Sequence, residues 1–186
     1  MPFYRSAVLA GPDLLEKSRV VRHAQNERSF HIFYQLLEGA NADQRSKYLL
    51  EPIKSYRYLD NSPRIDGVDD SKELVETLGA MNTIGFKEKE IDEIFRLLSG
   101  ILQLGNLQFS QGKRDDAASI KDPSVADKIA HVLGIKSTDF TRCLLKPRVK
   151  AGREWVTAMV TAQKVPLRAP PPRRPRRRRG FSVARR

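Results

Sequence analysis

Apolar residues recur at helical spacing through the middle of the chain. From Leu14 to Val21 the chain is apolar at both ends and charged between, a pattern that fits a strand leaving a sheet. Asn26 then reads as the N-cap of a helix carrying Phe30, Phe33, Tyr34 and Leu37, with Gly39 as its stop. A shorter helix is expected from about Asp43 to Leu50, ended by Pro52. Tyr56 to Leu59 reads as a brief extended piece, and Asp60-Asn61-Ser62-Pro63 as a turn.

The next two helices are the most regular. Asp69, Asp70 or Ser71 caps the first, whose inward stripe is Leu74, Leu78 and Met81 and whose end is Gly85. The second is predicted from about Lys87 to Leu104 and closed by Gly105. Its stripe is Ile91, Ile94, Phe95, Leu98, Ile101 and Leu102. Leu107 to Phe109 fits a short strand, and residues 110–120 an exposed loop. Asp122-Pro123 places a cap before a proline at the first helical position, opening a helix with Val125, Ile129 and Val132 inside and Gly134 as its stop. Ser137 caps a last helix with Phe140, Leu144 and Leu145, ended by Pro147. Residues 148–156 read as a small hairpin turning at Ala151-Gly152, with Val149 and Trp155 on its apolar side. The fold class is mainly α with a few short strands.

Composition changes this picture at one end only. The 186 residues hold 34 Lys and Arg against 22 Asp and Glu. Ten of those cations lie within residues 164–186, which contain no acid and five prolines, so residues 1–163 carry a net charge of +2. A nearly neutral body thus precedes an Arg/Pro-rich tail expected to be disordered and able to attract phosphates non-specifically. The single cysteine, Cys143, excludes an internal disulfide framework and reads as a small core residue. The apolar runs are too short to span a bilayer, so no membrane role is expected.

Candidate chemistry is sparse. Gly100 and Gly105 have the glycine spacing of a phosphate loop, but Asn106-Leu107 follows where Lys-Ser/Thr is required; close helix packing and a cap explain the glycines better. Gly134 to Thr138 lacks the upstream glycine. His23, His31 and His131 have no partners at metal-ligand spacing, and Asp92-Glu93 reads as a solvated helix face. No catalytic, cofactor-binding or metal-binding residue is assigned.

Several blocks in order resemble one family. They are Leu14-Leu-Glu-Lys-Ser-Arg-Val-Val21, Glu27-Arg-Ser-Phe-His-Ile-Phe-Tyr-Gln-Leu-Leu37, Met81-x-x-Ile-Gly-Phe86, Ile101-Leu-Gln-Leu-Gly-Asn-Leu-Gln-Phe109 and Leu145-Lys-Pro-Arg-Val-Lys150. Together they resemble the myosin motor domain of a conventional, class II heavy chain, over about Asp13 to Thr157. The resemblance implies an internal fragment of a P-loop NTPase-type fold, from the upper actin-facing subdomain and without the nucleotide-binding core. Residues 1–12 form a divergent segment, 13–163 the partial motor domain and 164–186 the tail. The change after Thr157 points to an alternative or shifted reading frame, or a faulty gene model.

The family is an actin-activated ATPase. The resemblance implies ATP and magnesium as ligands of the intact motor and neither for this chain, whose sequence carries no phosphate loop or switch loop and which is expected to be inactive alone. It implies actin filaments as the partner, in the cytoplasmic cytoskeleton, with dimerisation and light-chain binding carried by other regions. The hairpin 147–157 resembles the family's actin-contacting surface loop, which makes Arg148, Lys150, Arg153 and Glu154 the actin-binding candidates. Glu154 stands where many myosins place an acidic or phosphorylatable residue, and Ala151 where class II proteins usually have valine. Two other functions fit the residues: a non-enzymatic helical actin-binding or adaptor module, and nucleic-acid binding through the tail.

Overall fold

In a computed structural model of the chain, the described residues are 16, 18–24, 27–60, 63, 65–111, 117–152, 154–158 and 160–161. The expectations for residues 1–12, Asn26, Asn61, Ser62, Arg153 and the tail 164–186 lie outside them. Seven helices and four strands follow one another among the described residues: α1 (Ser18–Val21), α2 (His31–Gly39), α3 (Ala42–Lys47), α4 (Asp70–Thr83), α5 (Glu88–Asn106), β1 (Phe109–Gln111), β2 (Ala118–Ile120), α6 (Pro123–Leu133), α7 (Ser137–Leu145), β3 (Arg148–Ala151) and β4 (Glu154–Thr157). The mainly α class with a few short strands is what the sequence pattern predicts.

Helix α5 runs through the middle, and its inward stripe serves three apolar clusters. Leu102 packs with Phe33, Tyr34, Leu37, Tyr56 and Leu59. Ile91 and Phe95 pack with Leu36, Tyr48 and Leu74, with Leu78 and Met81 of α4 partly buried against them. Leu104 meets Leu107, Ala126 and Ile129 at the α6 end, where Phe140 and Leu144 of α7 also pack.

Two glycines of α5 set how closely its neighbours approach. A Cβ at Gly100 would fall 2.6 Å from Leu133 Cδ2, and one at Gly105 would fall 2.7 Å from Cγ of the Tyr58 ring. Gly105 is therefore not a stop: the helix continues through it to Asn106. The helix ends instead where Asn106 turns its amide to other backbone, accepting from Arg57 N–H at 3.0 Å and donating to Ser55 C=O at 2.8 Å.

Beside its apolar stripe α5 carries a polar one. Ser99 donates to the Tyr48 carbonyl at 2.6 Å, and Gln103 Nε2 donates to the Leu49 carbonyl at 3.1 Å. One turn-pair earlier, Asp92 accepts from the Tyr48 hydroxyl at 2.6 Å and pairs with Lys47 at 2.5 Å. The Lys47 ammonium, then the Tyr48 hydroxyl, holds the Asp92 carboxyl below its ordinary range, and burial pushes the Tyr48 phenol up. Asp92 is thus half-buried and engaged, not part of a solvated face, because α3 and the chain after it fold back along this side of α5.

Other departures from the sequence reading have local causes. Ser18–Val21 is one helical turn and not a strand, held by Arg19 against Glu16 at 2.8 Å and Glu27 at 3.0 Å. Helix α2 begins after Phe30, which caps without a side-chain bond. Its last carbonyls are met by Arg45, which donates to Leu37 and, at 3.2 Å, to Ala40. Asn41 caps α3 in a box with Gln44, and the helix stops at Lys47 ahead of Pro52, because Leu49 takes a left-handed φ of 51°. Residues 53–59 form two 3-10 turns, Ile53–Ser55 and Arg57–Leu59, where an extended piece was expected; the Tyr56 hydroxyl closes them onto Glu51 N–H at 2.9 Å.

Asp69 is the cap of α4, Asp122 that of α6, and Gly134 ends α6 at φ 68°. Lys136, not Ser137, precedes α7 as its cap. Within the expected loop 110–120, Ala118–Ile120 pairs antiparallel with Phe109–Gln111 and buries Ala118. Cys143 is exposed, since the half-buried positions of α7 are 137, 140, 141, 144 and 145.

Two predictions follow from this packing. Gly105→Ala presses a methyl into a buried ring, so it lowers unfolding free energy by about 1–3 kcal/mol in urea titration. The second concerns acid. Asp92 is held low by Lys47, Asp69 by Ser71 and Asp122 by Ser124. A carboxylate whose pKa is lower folded than unfolded contributes stability fully above about pH 4, and that stability is lost as pH falls through its folded value. The thermal midpoint therefore changes little between about pH 7 and 5 and drops below about pH 4, with a shallower drop in Asp92→Asn.

Candidate functional site

The hairpin predicted from sequence forms. Arg148 pairs with Thr157, Val149 with Val156, Lys150 with Trp155 and Ala151 with Glu154. The chain turns after Ala151, where Gly152 adopts φ 65°, the left-handed conformation that tight hairpin turns favour. Ala158 N–H donates to the Pro147 carbonyl at 2.9 Å, extending the ladder by one rung. Ala118 N–H donates to the Val160 carbonyl at 2.8 Å, which ties the exit of the hairpin to β2. The hairpin thus hangs from α7 at one end and from β2 at the other.

Its surface is open. All four residues of β4 are exposed, as are Arg148 and Lys150. Among the described residues Arg148, Lys150 and Glu154 make no ion pair, so their charges face outward. Side chains alternate between faces along a strand, and paired positions share a face. Arg148, Lys150, Trp155 and Thr157 therefore fall on one side, with Glu154 and Val156 on the other. The Arg148 guanidinium lies 6.0 Å from the centroid of the Trp155 ring.

This register corrects two expectations. The turn does not fall at Ala151-Gly152, because Ala151 lies in β3 and pairs with Glu154. Trp155 does not share a side with the Val149 position, which pairs with Val156. The charged candidates divide between the faces: Glu154 faces away from Arg148 and Lys150, and Arg153 lies outside the described residues.

Apart from the hairpin, a concavity of about 890 Å³ opens between α2, the 52–54 turn and the chain leading into α4. Its wall includes Arg28, whose side chain is only 6% exposed and donates to Asp70 at 2.7 Å. The Arg28 guanidinium also stacks 3.8 Å from the Tyr34 ring centroid, while its Nε finds no acceptor among the described residues. The pair joins the entry of α2 to the start of α4.

The glycines at phosphate-loop spacing have other roles. Gly100 and Gly105 sit inside α5 against Leu133 and Tyr58, and Gly134 is a helix stop, so these residues do not fit ATP with magnesium. Among the described residues no group of three or more His, Cys, Asp or Glu is placed to hold a metal ion. No described helix is long and apolar enough to cross a membrane.

The helical frame and the ordered sequence blocks agree with the comparisons to known proteins. The profile of the myosin head (motor domain) family matches residues 9–169, and the chain belongs to that family. A myosin heavy chain, non-muscle, from Drosophila melanogaster is 47% identical over 153 residues. That match covers 82% of this chain but only 7% of the relative, so the chain spans a small part of the length of such a protein.

The Arg28–Asp70 pair gives this region's prediction. Asp70→Asn leaves a buried guanidinium without its counter-charge, and breaking such a pair from one side costs about 3 kcal/mol or more. The urea midpoint falls accordingly, while Asp66→Asn, on the exposed turn of the same loop, changes the unfolding free energy by less than about 0.5 kcal/mol.

Proposed function

We propose that this chain is part of the upper, actin-facing portion of an actin-based, ATP-dependent motor of the conventional class II type, working in the cytoplasmic cytoskeleton. The observation that carries the reading is the open hairpin, with exposed Arg148 and Lys150 on one face and no ion pair to either among the described residues. In this reading the hairpin meets the acidic surface of an actin filament. Arg148 and Lys150 speed the encounter through charge, and Glu154, on the opposite face, disfavours docking the wrong way round.

ATP and magnesium belong to the intact motor, in segments bearing the phosphate and switch loops that this sequence does not contain. Dimerisation and light-chain binding likewise belong to other regions of such a motor. The chain itself contributes frame and filament contact, not hydrolysis. A single hairpin buries far less than the ~1,200 Å² at the low end of stable interfaces, so its affinity alone is weak and falls with salt.

The test must separate the hairpin from the cationic tail. In a full chain with Arg173, Arg174, Arg176, Arg177, Arg178 and Arg179 replaced by glutamine, co-sedimentation with actin filaments should persist at low salt. Adding Arg148→Glu and Lys150→Glu should weaken it by about tenfold or more, since like charges then face the filament. Equal binding with both charges reversed rejects the hairpin as the contact, and loss of binding on neutralising the tail assigns the attraction to the tail.

A further inference from the structure

We infer that Trp155 is the anchoring contact of this hairpin, and that the face it shares with Arg148, Lys150 and Thr157 docks on an acidic protein surface around an apolar depression. The inference rests on reading the hairpin as the filament contact and names which side of it binds.

The argument starts from exposure. Trp155 is 59% exposed on a strand with no buried position, so the core does not account for so large an apolar side chain there. Its face holds two cations and a hydroxyl but no acid. Arg148 stacks toward the ring and Lys150 stands directly across the ladder. The ring is therefore flanked by positive charge whose own Coulomb partners are missing from the described molecule. Trp beside Arg is the composition that dominates measured binding energies at protein interfaces, because a flat rigid ring fills a pocket while the guanidinium meets a carboxylate.

The opposite face offers less. It exposes Val156, a much smaller apolar group, next to the negative Glu154, which an acidic partner would repel. A nucleic acid fits this face less well than a protein does. Single-stranded binding uses several aromatic platforms along a basic groove, and this face has one ring on a four-residue strand.

The chain contains one tryptophan, so chemistry directed at tryptophan reads this position alone within it. The experiment uses the full chain with the six tail arginines neutralised as above. Affinity for actin filaments is measured for the parent, Trp155→Ala, Trp155→Phe and Val156→Ala. Hydroxyl-radical oxidation of the peptide containing Trp155 is read by mass spectrometry with and without filaments.

The expected result is a loss of about tenfold or more for Trp155→Ala, and less than about threefold for Trp155→Phe and Val156→Ala. Oxidation of Trp155 should fall severalfold in the pelleted parent. Unchanged affinity of Trp155→Ala, or a loss as large for Val156→Ala, overturns the inference. So does Trp155 oxidising at its free rate while the chain pellets. A parent that binds and is sensitive to charge reversal but not to Trp155→Ala defeats this inference and leaves the hairpin reading standing; a parent that does not bind defeats both. Protection of Trp155 by a single-stranded oligonucleotide but not by filaments overturns the choice of a protein partner.

Discussion

A row of polar side chains along one helix holds the irregular part of this molecule in place. Asp92, Ser99, Gln103 and Asn106 lie on one side of α5 and take the Tyr48 hydroxyl, the Tyr48 and Leu49 carbonyls, and the backbone of Ser55 and Arg57. Segment 48–59 has only two short 3-10 turns to satisfy part of its backbone, yet it supplies the buried rings Tyr48, Tyr56 and Tyr58. Each bond nets only about 1 kcal/mol, but a buried carbonyl left unmet costs about 1–3 kcal/mol. The polar row therefore decides the path of the segment, and the apolar stripe beside it supplies the driving force. Gly105 completes the arrangement by letting the Tyr58 ring lie against the helix.

The hairpin obeys a different economy. Its ladder is local, its β4 side chains are all exposed, and its exit is fastened to β2 through the bond from Ala118 to Val160. A surface built this way tolerates changes of side chain without disturbing the core, which suits a contact that must carry charge in water. Register then does what packing does elsewhere. The strand pairing fixes which residues oppose one another, and so sorts Arg148, Lys150 and Trp155 from Glu154.

Much of the fold was legible because it rests on repeated signals. The stripe from Ile91 to Leu102, the Asp122-Pro123 opening and the Gly134 stop each combine a period with a cap, and all three appear where expected. The hairpin was legible for the same reason. What escaped was tertiary: Asp92, Ser99 and Gln103 look like ordinary wet-face residues until the 48–59 segment lies over them. Their spacing beside the apolar stripe was the available signal. Gly105 misled because a glycine after an apolar run reads as a stop, whereas here a ring occupies the space where its side chain would be. At the candidate site the charged residues were readable, but their division between two faces depended on a register that one residue of slip would reverse.

Hydrogen exchange resolved by residue tests the central claim most directly. If the polar row of α5 fastens segment 48–59, the amides of Leu50, Tyr56 and Leu59, each bonded to another backbone carbonyl, exchange with the same free energy as the centre of α5. Amides of β3 and β4 exchange by local opening at a much lower free energy. Exchange of Leu50, Tyr56 and Leu59 as fast as that of the hairpin, with α5 still protected, would show that the segment is not held by the helix and would contradict the account.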